Sequence, residues 1–171
     1  TPVAEVSHRF LGLSIQTIVN MISEAAGRDL PGFAERFEDR LLVRFETELQ
    51  LIPGALPLIE ALRNRGVPTA IATGSSLHRL ATTLRVTGLG KYFIGRGFSA
   101  DLVRRGKPAP DLFLLAAERL GIPPEDCVVM EDSPHGVTGA IAAGMRAVGF
   151  VGGSHLEGMR DEHAARLRAA G

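Results

Sequence analysis

Cysteine, lysine and unbalanced charge are scarce in this 171-residue chain. A single cysteine, Cys127, excludes a disulfide framework and a cysteine-based zinc site, and it suits a reducing compartment such as the cytoplasm. Basic and acidic residues number 19 each, so the formal net charge is zero. Such a chain carries no electrostatic footprint for nucleic acid or an anionic membrane. No apolar run approaches the roughly 20 residues of a membrane-spanning helix, and Thr1-Pro2-Val3-Ala4-Glu5 does not read as a signal peptide. Repeats, heptads and low-complexity tracts are missing too. The five histidines show no zinc spacing, Gly88-Leu89-Gly90-Lys91 lacks the spacing of a Walker loop, and no Gly-x-Ser-x-Gly elbow occurs.

Lysine scarcity has its own use. Of the 19 basic residues only Lys91 and Lys107 are lysines, and the other 17 are arginines. A lysine that survives this bias is informative, because a compact flexible ammonium and a wide planar guanidinium are not interchangeable at a tight site.

What is present divides at Pro53-Gly54. Before it, residues 3 to about 51 read as helical. Gly12-Leu13-Ser14 offers a turn and an N-cap for a helix to Met21 or Ile22, and Phe33, Phe37, Leu41, Phe45 and Leu49 line one face of a second. Glu and Arg fill the opposite face, the pattern of a solvated surface. After the boundary, short apolar runs alternate with helical stretches. Thr69 to Thr73, Cys127 to Met130 and Ala147 to Phe150 read as strands, with Tyr92-Phe93-Ile94 a weaker fourth; Cys127 then packs inside a buried strand. Helices are expected at Ser76 to Val86, Asp111 to Leu120 and Gly136 to Ala143. This order predicts a layered α/β fold with a parallel sheet buried on both faces, and ligands at the carboxyl ends of its strands.

Polar residues gather where those strands stop. Thr73-Gly74-Ser75-Ser76 joins a strand to a helix, a place where a hydroxyl and helix-start N–H groups can bind an anion. The same serines also serve as ordinary helix caps. Lys107 follows Gly106 and precedes Pro108 and Pro110, on a loop stiff enough to deliver a charge to a developing phosphate anion; an exposed surface lysine is the plain alternative. Asp111 is placed to cap the next helix. Glu131-Asp132-Ser133-Pro134-His135-Gly136 ends a strand with adjacent carboxylates, which suit Mg²⁺ or, more simply, cap the next helix. His135 reads as a loop residue beside such a site.

In combination these signals resemble the haloacid dehalogenase superfamily, in particular the small-molecule phosphatases related to β-phosphoglucomutase. The resemblance rests on Thr73, on Gly106-Lys107-Pro108-Ala109-Pro110, on Glu131-Asp132-Ser133, and on Gly136-Val137 leading to Ala142-Ala143-Gly144-Met145; it runs from about Phe10 to His155. It implies a Rossmann-like parallel core, residues 53–171, under an N-terminal helical cap, residues 1–52. It also implies that Thr73, with Gly74 and Ser75, binds the phosphoryl group, that Lys107 neutralises it, and that Asp132 with Glu131 holds Mg²⁺. Ser14 falls where the cap places a substrate-specificity loop. The family's Asp-x-Asp-Gly motif, which carries the nucleophile, precedes the cap and is not found here. Asp29, Asp39, Asp101 and Asp161 do not stand at the end of an apolar strand. The expectation is that front and back pieces, among them the first core strand between those ending at Thr73 and Glu131, lie outside this chain.

The activity so implied is a Mg²⁺-dependent phosphatase acting on a small phosphorylated metabolite through an aspartyl-phosphate, as a cytoplasmic monomer. A sugar-phosphate mutase is the nearest alternative, but Ile15 and Ser76-Leu77 stand where that relative has basic or amide residues. Phosphonatases need a cap lysine, and residues 1–52 contain none. Dehalogenases need no metal, against which the acidic pair stands. A truncated, catalytically dead protein that binds phosphorylated ligands or a partner is the alternative from another class.

Overall fold

The computed structural model describes Phe10 and residues 15–171. Ser14, Gly12 and Leu13, and with them the expected helix cap and specificity loop, lie outside the described residues. Packing divides the chain into two compact units, one spanning Leu13–Asp101 and the other holding Leu102–Gly171. Pro53-Gly54 forms a turn inside the first unit, with Gly54 at φ 86° as the residue before a helix.

In the first unit, helix α1 (Ile15–Ala26) is followed by α2 (Phe33–Glu48) and α3 (Ala55–Asn64). Strand β1 (Ile71–Thr73) then leads into α4 (Leu77–Val86) and β2 (Gly97–Ser99). The two strands pair in parallel, Ile71 with Gly97 and Thr73 with Ser99, so α4 is a crossover helix. Neither α1 nor α2 contains a fully buried residue. Burial begins with Leu80, Leu89, Phe93 and Phe98, around the crossover. The polar face of α2 is not simply solvated: Glu38 accepts from the Ser76 hydroxyl and lies 3.7 Å from the Arg79 guanidinium, and Glu46 pairs with Arg85. Helical segment and α/β segment are thus joined by polar contacts.

The second unit repeats the plan. Helix α5 (Asp111–Leu120) precedes β3 (Val128–Glu131), α6 (Pro134–Ala142), β4 (Arg146–Gly149) and α7 (Arg160–Ala169). Strands β3 and β4 pair in parallel from Val128–Arg146 to Glu131–Gly149. Leu112, Phe113, Val137, Ala140, Met145, Leu156 and Leu167 form the core. Helix α7 lies on the Gly149 face of the sheet, where a Cβ on Gly149 would stand 3.1 Å from Leu167 Cδ1.

Four details depart from the sequence reading. Tyr92-Phe93-Ile94 is no strand: Gly90–Tyr92 makes a 3₁₀ turn, Gly95 reverses the chain at φ 68°, and the strand is Gly97–Ser99. Cys127 precedes β3, is partly exposed and donates its thiol to the Pro123 carbonyl. Burial, then the negative charges of Asp126 and Glu125, push that thiol above its ordinary pKa. Asp111 is the first residue of α5 and not its cap; it pairs with Arg105, which holds its carboxyl below the usual range. Finally, the β3–β4 sheet is not buried on both faces, since Val128, Met130 and Val148 on one face are each about half exposed. No described helix is long and apolar enough to cross a membrane.

Candidate active site

The first unit presents the hydroxyl loop. Thr73 closes β1, and its Oγ1 accepts from the Ser75 N–H at 3.1 Å and meets the Ser75 hydroxyl at 2.9 Å. Ser76 caps α4, accepting from the Arg79 N–H at 3.0 Å. Ser99, fully buried at the end of β2, donates to the Ser75 carbonyl at 2.5 Å. Asp101 accepts from the Leu77 N–H at 2.8 Å. Two N–H groups of the helix start are therefore already taken, and the loop's anion-binding capacity rests on Thr73 and the exposed Gly74. Asp101 stands just past the end of β2, a position the misplaced fourth strand concealed, but its carboxylate is engaged as a helix cap.

The second unit holds the charges. Lys107, joined to Pro108 by a cis peptide bond, has a side chain only 10% exposed. Its ammonium pairs with Glu131 and lies 5.0 Å from the centre of the Phe113 ring. Gly139 lets α6 approach this loop: a Cβ there would press on Phe113 and on the Pro108 carbonyl at 3.3 Å. The Glu131 side chain is 7% exposed and fully engaged, Oε1 with Lys107 and Oε2 with the Ser133 N–H at 3.2 Å and hydroxyl at 3.1 Å. Ser133 also caps α6, accepting from the Gly136 N–H at 3.0 Å. Gly136 is packed so closely on the Glu131 carboxylate that any Cβ would overlap it.

Asp132 is the open member of the pair. Its side chain is 45% exposed, with His155 Nε2 at 3.5 Å from Oδ2, while its carbonyl accepts from His163. Lys107 and Glu131 are thus in contact, with Asp132 next in sequence, while Thr73, Gly74 and Ser75 form a loop of their own. His135 sits in the first turn of α6 with a buried Nδ1 that has no hydrogen-bond partner among the described residues. Sequence reasoning missed the contacts of Ser99, Asp101, His155 and His163, for which neither composition nor periodicity carries a signal.

Fold and strand-end chemistry are those of a parallel α/β enzyme, with its polar groups at the carboxyl ends of the strands. A model of the haloacid dehalogenase-like hydrolases matches residues 13–144, and the chain belongs to that family. It is 35% identical over 176 aligned positions to a probable pseudouridine-5'-phosphatase of Drosophila melanogaster, covering 97% of this chain and 74% of that protein. To hexitol phosphatase A of Escherichia coli it is 40% identical over 106 positions, 60% of this chain but only 47% of the relative. A solved family hydrolase from Deinococcus radiodurans, with bound phosphate and sodium, superposes with a TM-score of 0.74 at 34% identity, covering all of this chain and 74% of its own.

Proposed function

We propose that this chain carries the phosphoryl-handling groups of a Mg²⁺-dependent phosphatase for a small phosphorylated metabolite, a sugar phosphate or similar. The observation that carries the proposal is the buried Lys107–Glu131 pair with the open Asp132 carboxylate next in sequence. A lysine that were only a surface charge would not be held 10% exposed against a carboxylate.

Asp132 fits a hard cation, being an exposed carboxylate at a strand end. Glu131 beside it has both oxygens engaged by Lys107 and Ser133. Among the described residues no group of three or more His, Cys, Asp or Glu could enclose an ion. Mg²⁺ tolerates such a sparse set, because it keeps several waters and takes one or two carboxylates plus substrate phosphate. Bound there, it would supply positive charge against the phosphate oxygens. Lys107 adds a fixed point charge beside that carboxylate, and the role of Thr73 as a phosphoryl-binding hydroxyl is assigned from its family motif. The helices before residue 52 are assigned the role of cap, excluding water from the bound ester. In this proposal the attacking carboxylate is that of the family's Asp-x-Asp-Gly motif, which this sequence does not contain; it displaces the alcohol of the ester, and water then hydrolyses the resulting aspartyl-phosphate.

The test is a phosphate-release assay on the protein expressed from its complete coding sequence, over a panel of phosphate esters. Release that depends on Mg²⁺ is the expected result, and an inert protein overturns the proposal. The 171-residue chain alone should release nothing from p-nitrophenyl phosphate.

A further inference from the structure

The backbone of Asp132 is held by hydrogen bonds on both sides. The Asp132–Ser133 peptide unit is pinned at both ends: its carbonyl accepts from His163 Nε2 at 2.6 Å, and its N–H donates to Glu131 Oε2 at 3.2 Å. The preceding peptide unit is fixed as well, because the Glu131 carbonyl accepts from the Phe150 N–H at 2.7 Å. With a peptide plane immobilised on each side, φ and ψ of Asp132 are both set, and so is the direction of its Cβ. The carboxylate itself is 45% exposed, with His155 Nε2 3.5 Å from Oδ2.

His163 is the long-range part of this clamp. It lies on α7, 31 residues beyond Asp132, and is 2% exposed. A carbonyl oxygen only accepts, so Nε2 carries the proton in this contact. A buried imidazole directed at a backbone carbonyl is a costly choice for a core position that Leu or Met could fill. Its helix is seated by Leu167, buried on the face of Gly149, and by the buried Leu156 just before it.

We infer that His163 is a positioning residue for cation binding: by holding the Asp132 carbonyl it aims the Asp132 carboxylate at the ion. This rests on the phosphatase reading only in taking Asp132 as the ligand. Groups that orient a metal ligand typically contribute about 10–100-fold to metal affinity. His163 acts through the backbone of Asp132 and does not touch the substrate.

The experiment compares wild type, His163→Leu and His163→Gln in the full-length protein. Leu keeps the bulk without the donor, and the Gln amide nitrogen can reach the position of Nε2. Binding of Mn²⁺, as a paramagnetic substitute for Mg²⁺, is titrated by electron paramagnetic resonance without substrate, and the Mg²⁺ dependence of phosphate release is measured alongside. His163→Leu should bind the ion about tenfold or more weakly. Its Mg²⁺ requirement should rise in step, with kcat at saturating Mg²⁺ within about threefold of wild type. His163→Gln should restore most of the affinity. Unchanged affinity in His163→Leu overturns the inference, and so does an equal loss in both variants, which marks a packing role. A wild type that binds no Mn²⁺ overturns it too. A wild type that binds Mn²⁺ but hydrolyses no ester removes the phosphatase reading alone, and the binding comparison still decides the clamp.

Discussion

The loop after β1 and the loop after β3 are the same device built with opposite chemistry. Each leaves the carboxyl end of a short parallel strand and enters a helix through a capping serine, Ser76 in one and Ser133 in the other. In both, the cap accepts from the N–H three residues on, at 3.0 Å. The first loop is neutral and partly exposed; its Thr73 and Ser75 hydroxyls satisfy each other, and that of Ser76 donates to Glu38. The second begins with a carboxylate that is 7% exposed and therefore needs a fixed counter-charge, two further donors and a glycine to make room. Hydroxyls can trade partners with an incoming anion at little cost, whereas a buried charge must be satisfied before any ligand arrives. The neutral loop is accordingly the adaptable one and the charged loop the preorganised one.

The comparison breaks most sharply at Lys107. Lys107→Ala leaves Glu131 buried without its counter-charge, and removing one partner of a buried pair costs about 3–5 kcal/mol. In the full-length enzyme the same change should lower kcat on the order of 10²-fold or more, because it removes a preorganised charge from the reacting group. Chemical denaturation and turnover should therefore fall together. Near-normal values of both would reduce the lysine to an ordinary surface charge.

Gly136→Ala tests the same loop without touching a charge. The new Cβ would occupy the space of the Glu131 carboxylate. Overpacking of this kind costs about 1–3 kcal/mol, with the carboxylate displaced from Lys107 and Ser133. A wild-type denaturation midpoint would mean that the carboxylate can move aside freely, and the contrast between rigid and adaptable loops would be lost.

Thr73→Val should behave in the opposite sense. It removes the oxygen that meets both Ser75 groups, worth about 1 kcal/mol in a half-exposed loop. Yet it also removes a donor to the phosphoryl group, for which a loss on the order of 10²-fold in kcat is expected. A large effect on turnover with a small one on stability is the signature of the adaptable loop.

How much of this was legible beforehand follows from how local each feature is. Strand ends at Thr73 and Glu131 and the helix Asp111–Leu120 were readable, because apolar runs and turn residues are neighbours in sequence. The run Tyr92-Phe93-Ile94 misled, since aromatic and β-branched character says strand while Gly90 and Gly95 on either side impose a turn. Gly97–Ser99 was invisible for the converse reason, carrying a glycine and a serine in three residues. Lys107 and Asp132 could be named from motif order, but their contrasting environments could not. Burial of Glu131, the opening of Asp132, the Glu38–Ser76 contact and the reach of His163 depend on residues 24 to 38 positions apart. Nothing in composition or periodicity encodes such a pairing.

The mildest test of the comparison is Asp101→Ala. Asp101 accepts the Leu77 N–H at the start of α4, so it fills with a protein carboxylate a position that an anionic ligand could otherwise use. Removing a side-chain acceptor from a helix start costs about 0.5–2 kcal/mol, toward the lower end for an exposed residue such as this. Because the Asp101 N–H is itself tied to the buried Ser99 hydroxyl at 3.1 Å, the strand-end backbone should hold its place when the carboxylate is lost. The Leu77 N–H would then be free for solvent or a phosphate oxygen. Turnover should stay within a few-fold of wild type, and inorganic phosphate should inhibit at equal or lower concentration, read from its inhibition constant. Weaker phosphate inhibition would mean that Asp101 shapes the Thr73 loop for its ligand, which would make that loop as preorganised as its charged counterpart.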